Sequence, residues 1–396
     1  MVNAPPTPAD EATPVVRRSL APDLARGTML LFIALAHAHM FLLHTETGYR
    51  GYSVDGGPID RLVAGVQVLF VDGRALPMFA ALFGYGVVQM MNRRAEAGAS
   101  WPTVRRLARR RSWWLLLFGL CHALLLFFGD ILGAYGFIGL LFIGLLNRRD
   151  RVLLWAAAIG VVIHIVVIYS MGWVMVGTDP GATDLLGADP VTSAGTRVGV
   201  WLMMTFALLP VSVMAPFFLG AWAARRRLLE NPRRHRFLLG RIAVLGIGVA
   251  LAGGAPLASI DVGLWSPEPS TQVIAYSVHS VTGIAGGLGL AAFVGWITAV
   301  RTREPGRVMT ALAATGQRSL TCYLLQSVLF VAVFASYAGG LNDELSDAQA
   351  SGVAVLVWLS SVLLATWMAR TGRRGPFEVL LRRLTYGGSP ARHRAE

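Results

Sequence analysis

Residues 23–44, DLARGTMLLFIALAHAHMFLLH, are apolar enough to cross a bilayer, yet they carry His37, His39 and His44 in their second half. Ionisable groups at membrane depth are costly and therefore point to function. On a helix His37 and His44, seven residues apart, share one face about 10 Å apart along the axis, and His39 points elsewhere. Taken singly, each histidine also reads as a hydrogen bonder to a neighbouring helix. The pair on one face, its second member near the membrane surface, favours chemistry.

The rest of the chain shares this apolarity. Of 396 residues, 55% are hydrophobic and only 14% charged, and the mean hydropathy is +0.56. These values exclude an ordinary soluble domain and indicate an all-α, polytopic membrane protein. Every basic residue is arginine, and together they produce a formal charge of +13. Loop charges that orient helices and touch anionic lipid explain that excess, and no aromatic-interleaved basic module argues for nucleic acid. Cys121 and Cys322 lie in apolar segments and imply neither a disulfide framework nor a thiolate metal site.

Residues 1–19 read as a disordered cytoplasmic tail, 20–387 as the membrane domain, and 388–396 as a second disordered tail. Arg17 and Arg18 imitate a twin-arginine signal, but membrane spans rather than a translocated globular domain follow them. Ten spans are predicted, at about 27–44, 74–91, 112–129, 131–147, 152–176, 197–223, 237–257, 273–300, 319–338 and 352–369. A short helix at 59–71 reads either as lying at the surface or as the first part of one long bent helix. The tail RTGRRGPFEVLLRRLTYG reads as a basic amphipathic helix at the inner surface. Only Arg50, Arg61, Arg74 and Arg197 fall on one side of the membrane, so both termini are assigned to the cytoplasm.

This topology places His44, Asp72, Arg74, Asp130, Tyr135 and His279 in the outer half of the membrane. Asp130 with Arg74 also reads as a self-neutralising buried pair. His122 lies deeper and reads as a structural hydrogen bonder. On the inner half stand Asp23, Arg26, Gln317, Arg318, Tyr323 and Gln326, where an arginine either holds a phosphate through bidentate contacts or snorkels to the interface. No phosphate loop, HExxH helix, CxxC pair or GxSxG elbow is present. Metal is not expected, because His37 and His39 diverge on a helix and no carboxylate lies one turn away.

The segments DLARG (23–27), GRALPMFAALFGYG (73–86), GLCHALLLFFGDILGAYGFIGLL (119–141), GQRSLTCYLLQS (316–327) and RRGPFEVLLRRLTYG (373–387) resemble, in order, those of the bacterial YeiB family, which carries the domain of unknown function 418. That family is grouped by resemblance with transmembrane acyltransferases such as heparan-α-glucosaminide N-acetyltransferase. The resemblance implies acyl transfer from cytosolic acyl-CoA, acetyl-CoA above all, to an extracytoplasmic acceptor hydroxyl or amine across the bacterial cytoplasmic membrane. Asp23, Arg26 and Gly27 match the D-x-x-RG opening of these relatives; His37 stands where Asn is more usual, and His44 is the candidate outer histidine.

On this reading His44, relayed through His37, is the base or acyl carrier. Asp72 or Asp130 orients it, Arg74 or His279 stabilises the oxyanion, and the inner set around Arg26 and Arg318 holds the nucleotide. A proton-coupled transporter using the same histidines and Asp130 is the alternative, and a non-enzymatic scaffold a third. The sequence also admits a homodimer.

Overall fold

The computed structural model describes residues 19–44, 46–177 and 189–387. The expected tails at 1–18 and 388–396, and the loop at 178–188, lie outside the described residues. Those described form α1 (Leu20–Ala38), α2 (Pro58–Phe70), α3 (Ala75–Glu96), α4 (Trp101–Leu125), α5 (Leu132–Phe142), α6 (Asp150–Gly177) and α7 (Pro190–Met203). After these come α8 (Leu209–Arg225), α9 (Arg236–Asp261), α10 (Pro269–Val300), α11 (Arg307–Gln317), α12 (Ser319–Phe334), α13 (Asp347–Arg370) and α14 (Pro376–Tyr386). Among the described residues the one extended pairing is an isolated antiparallel bridge between Thr47 and Ser53, in the exterior loop.

Among the described residues, seven segments are long and apolar enough to cross a membrane, or eight if α11 and α12, bent 87° apart, count as one broken span. This corrects the expected ten, and the two that fall short are the third and fourth. α5 has only 11 residues, about 16 Å at 1.5 Å per residue against a hydrocarbon core of about 30 Å. α4 is longer, but five arginines occupy its first half. α2 and α3 follow one another as a single apolar stretch of 39 residues, at about 58 Å too long to lie wholly inside the bilayer core.

Burial separates central from peripheral helices. In the most apolar window of α1 and of α10, 56% is buried against the protein, compared with 22% for α9 and for α13. The peripheral helices turn Val244, Leu245, Leu356 and Leu363 outward, as a lipid-facing surface requires.

Close crossings then fix the site. A Cβ on Gly27 would collide with the Leu312 carbonyl, and one on Gly316 with the Asp23 carbonyl, so α1 and α11 touch backbone to backbone at the inner side. At the hairpin of α4 and α5, a Cβ on Gly119 would collide with the Asp130 carboxylate and the Gly133 amide. Small residues allow such approach where no hydrophobic force drives helices together.

The first span does not continue as one helix to His44. α1 ends at Ala38, a 3-10 turn covers His39–Phe41, and Leu42 is extended. The expected shared face of His37 and His44 is therefore broken.

Replacing Gly119 with Ala should cost about 1–3 kcal/mol through overpacking, read as a lower thermal midpoint of the detergent-solubilised protein. Gly195, with nothing within 4 Å of its would-be Cβ, should accept Ala neutrally or with a gain of up to about 1 kcal/mol. Equal midpoints for the two variants would contradict the close crossing.

Candidate functional site

On the inner side the helices enclose a cavity of about 530 Å³. Its lining includes five arginines, Arg26, Arg93, Arg94, Arg111 and Arg382, against two carboxylates, Asp23 and Glu378. Both carboxylates are engaged. Asp23 accepts from Arg26 at 3.1 Å. Glu378, on α14, accepts from the Leu320 and Thr321 amides at 2.7 and 3.1 Å and from the Thr321 hydroxyl at 2.5 Å, capping the start of α12. The arginines also touch rings: Arg94 lies 4.6 Å from the Tyr386 ring and Arg111 5.8 Å from that of Phe83.

Going inward, the lining becomes aromatic and apolar, through Phe79, Phe83 and Leu132 to Tyr135 and Tyr323. Tyr135 stacks on Phe83 at 4.4 Å and on Phe79 at 5.0 Å. Its buried hydroxyl has no hydrogen-bond partner among the described residues.

Behind Tyr323 lies a buried polar relay. The His122 ring is 5.1 Å from that of Tyr323. Its Nδ1 is 2.9 Å from Asp130 Oδ1 and its Nε2 is 2.8 Å from Ser327 Oγ. The other Asp130 oxygen accepts from the Gly133 amide at 2.6 Å and from Trp201 Nε1 at 3.3 Å. A ring proton on Nδ1, facing the carboxylate, leaves Nε2 free to accept from the Ser327 hydroxyl. His37, half-buried, borders this group with its ring 6.3 Å from Tyr323 and 4.7 Å from Phe127.

A second polar group occupies the outer side. Tyr52 donates to Asp72 at 2.7 Å, and Arg50 approaches the other Asp72 oxygen at 3.8 Å. Burial, then Asp72, pushes the Tyr52 hydroxyl well above its ordinary pKa, so it remains a donor. Arg74 donates to the Asp72 and Ala250 carbonyls and lies against His279 Nε2, which also meets the Val68 carbonyl at 3.0 Å. His39 packs on Tyr52 with ring centres 4.4 Å apart. Apart from these, His44 meets Asp347 at 3.0 Å, and Asp347 also accepts from the Ser53 amide at 2.9 Å.

The expected outer site thus divides into three. Asp130 pairs with His122 and not with Arg74. The carboxylate beside His44 is Asp347, not Asp72 or Asp130. Arg74 and His279 contact each other but belong to the Asp72 group. Of the expected inner residues, Asp23, Arg26, Gln317 and Tyr323 line the cavity. Arg318 turns away, donating to the Ala314 and Arg373 carbonyls at 3.1 and 2.6 Å. Gln326 is buried without a hydrogen-bond partner among the described residues and does not line the cavity. Sequence reasoning missed Asp347 and Ser327, and it did not single out Arg93, Arg94, Arg111 or Arg382 within the arginine-rich inner face. Among the described residues no group of three His, Cys, Asp or Glu side chains is placed to hold a metal ion.

These features define a multi-pass, all-α membrane protein with an arginine-lined cavity in front of a buried polar relay. Residues 223–388 match the family model described as "Protein of unknown function (DUF418)". The chain is similar to "Uncharacterized protein YxaH" of Bacillus subtilis (strain 168), at 27% identity over 398 residues that cover 92% of this chain and 93% of that protein. It is also similar to "Uncharacterized protein YeiB" of Escherichia coli (strain K12), at 25% identity over 404 residues, 93% of this chain and 97% of that one. The family-model match and the two relatives together support assignment of the chain to the DUF418 family. No solved structure matches it.

Replacing Asp130 with Ala strands three buried donors, His122 Nδ1, the Gly133 amide and Trp201 Nε1. A buried donor left unpaired costs about 1–3 kcal/mol, so thermal unfolding in detergent should show a clear drop in midpoint. An unchanged midpoint would mean that these contacts do not hold the hairpin.

Proposed function

We propose that this chain is a membrane acyltransferase. Its donor is a cytosolic acyl-CoA seated in the arginine-lined cavity, and its acceptor is a hydroxyl or amine at the outer side of the bacterial cytoplasmic membrane. The observation that carries the reading is the polarity gradient of the cavity, from five arginines to an aromatic end in front of His122. Guanidinium groups suit the phosphates of a nucleotide through paired, charge-assisted contacts. The apolar end of the cavity suits the thioester arm. Its volume falls within the range of about 300–1,000 Å³ usual for small-molecule sites.

His122, with Nδ1 held by Asp130, is the group best arranged to accept a proton and return it to a leaving thiol. It takes the role that the sequence pattern assigned to His44. The His44–Asp347 pair and the Tyr52–Asp72 group stand on the outer side and are left to the acceptor. Tyr135, at the deep end of the cavity with its hydroxyl unpartnered among the described residues, is the donor on hand for a carbonyl oxygen that gains charge. The resemblance of the family to transmembrane acyltransferases points the same way.

The test is the melting temperature of the purified protein with acetyl-CoA and a longer acyl-CoA, with CoA alone as control. A ligand present at 100 times its Kd adds about 2.7 kcal/mol of stability. Arg26→Ala and Arg111→Ala should each weaken the shift, in line with about 1.5–3 kcal/mol for a charge-assisted contact. If millimolar acyl-CoA leaves the midpoint unmoved, the reading fails. Proton flux in liposomes would then become the measurement, since a transporter would use the same titratable groups without a covalent product.

A further inference from the structure

Ser327 lies on α12 one helical turn beyond Tyr323, so the two share a face. Tyr323 lines the deep end of the cavity, and Ser327 sits behind it, buried, with its hydroxyl on His122 Nε2. A single aromatic ring therefore separates the cavity from an Asp130–His122–Ser327 relay whose two links measure 2.9 and 2.8 Å. A carboxylate that orients an imidazole, which in turn accepts from a serine hydroxyl, is the arrangement that makes serine nucleophilic. It is recognised by geometry and roles, not by order in the chain.

Purely structural bonding asks less of these residues. A buried serine can satisfy its hydroxyl on the carbonyl one turn back, and Ser327 has that carbonyl, Tyr323 O, at 3.4 Å. The shorter contact, at 2.8 Å, is to His122 Nε2, which accepts from the hydroxyl when the ring proton is on Nδ1.

Resting on the acyl-transfer reading, we propose that Ser327 is the nucleophile and that transfer is a double displacement through an acyl ester on its Oγ. In the first half-reaction the Tyr323 ring swings aside and Ser327 Oγ attacks the thioester carbonyl while His122 Nε2 takes the hydroxyl proton. The carbon–sulfur bond breaks, and the thiolate leaves with that proton as a free thiol. In the second half-reaction the acceptor hydroxyl or amine gives its proton to His122 and attacks the ester carbonyl. The bond from carbon to Oγ breaks, and Oγ recovers the proton.

No electrons are exchanged and no further reactant is needed. The ester allows the thiol to leave through the inner cavity before the acceptor arrives, so donor and acceptor never have to occupy one site together. Burial of the relay keeps water from the ester.

The experiment treats the full-length protein in detergent with a fluorophosphonate probe, which phosphonylates activated serines whatever their natural donor, and maps the adduct by peptide mass spectrometry. In parallel, protein quenched in acid after mixing with acetyl-CoA is weighed for an added acetyl group. The expected result is one adduct and one acetyl group, both on Ser327 and both absent from Ser327→Ala, whose melting temperature reports that it is folded. Labelling should slow by at least about 100-fold in His122→Asn and Asp130→Asn, because the relay acts as a unit. Tyr323→Ala should speed labelling by opening the way to the serine.

The donor reading and the serine stand or fall separately. Phosphonylation of Ser327 without any melting shift from acyl-CoA overturns the donor and keeps the nucleophile. A melting shift with no adduct and no ester, in the parent protein and in Tyr323→Ala alike, overturns the serine and leaves direct transfer. Labelling that survives in His122→Asn at the parent rate overturns the relay.

Discussion

A carboxylate at the depth of Asp130 is tolerable only if donors surround it, and that requirement organises the middle of the molecule. The donors come from three places: the His122 ring on α4, the Gly133 amide at the start of α5, and Trp201 on α7. Satisfying one side chain therefore joins three helices that apolar contact alone would bring together weakly in lipid. The absence of a side chain on Gly119 allows the approach. Once His122 is committed to Asp130 on one side, its other nitrogen selects Ser327, and α12 is drawn to the same point. Tyr323, a turn earlier on that helix, then forms the end of the inner cavity.

Much of this was visible in the sequence, but in one dimension. Composition and apolar runs were enough for a multi-pass, all-α protein, and the arginine distribution gave a consistent inner side. The same arginines concealed part of the site. Arg93, Arg94 and Arg111 look like ordinary span-end charges, and Arg382 like part of a surface helix, because nothing local marks them as facing a common space. His122 was legible as a hydrogen bonder; its significance was not, because Ser327 is 205 positions away in the chain. Periodicity misled at His37 and His44, since it presumes an unbroken helix and α1 stops at Ala38. Asp347 escaped notice because it reads as an ordinary first-turn acid at the start of α13, where Ser346 supplies the cap. The short α5 was over-extended because the apolar run from 131 to 147 continues past the point where the chain leaves the helix.

The polar residues fall into separate stations rather than one chain of contacts. Arginines face the inner cavity, the Asp130–His122–Ser327 relay lies behind its aromatic end, and the Tyr52–Asp72–Arg74–His279 group with the His44–Asp347 pair stands on the outer side. Each station satisfies most of its own polar groups, which is the cheapest way to keep charge inside a helical bundle. Spatial division of this kind suits an activity whose two substrates approach from opposite faces.

α14 is the last of the described helices in chain order, and yet it supplies Glu378, Leu381, Arg382 and Tyr386 to the wall of the inner cavity. It also ties down α12 at its broken junction with α11, through Glu378. During synthesis all the membrane-crossing helices emerge before this wall exists. A ribosome that stalls between α13 and α14 would release an inserted bundle whose relay residues are all present but whose cavity is open along one side. The wall of the inner cavity is thus completed only after the preceding membrane-crossing helices have emerged, and loss of α14 would separate membrane insertion from closure of that cavity.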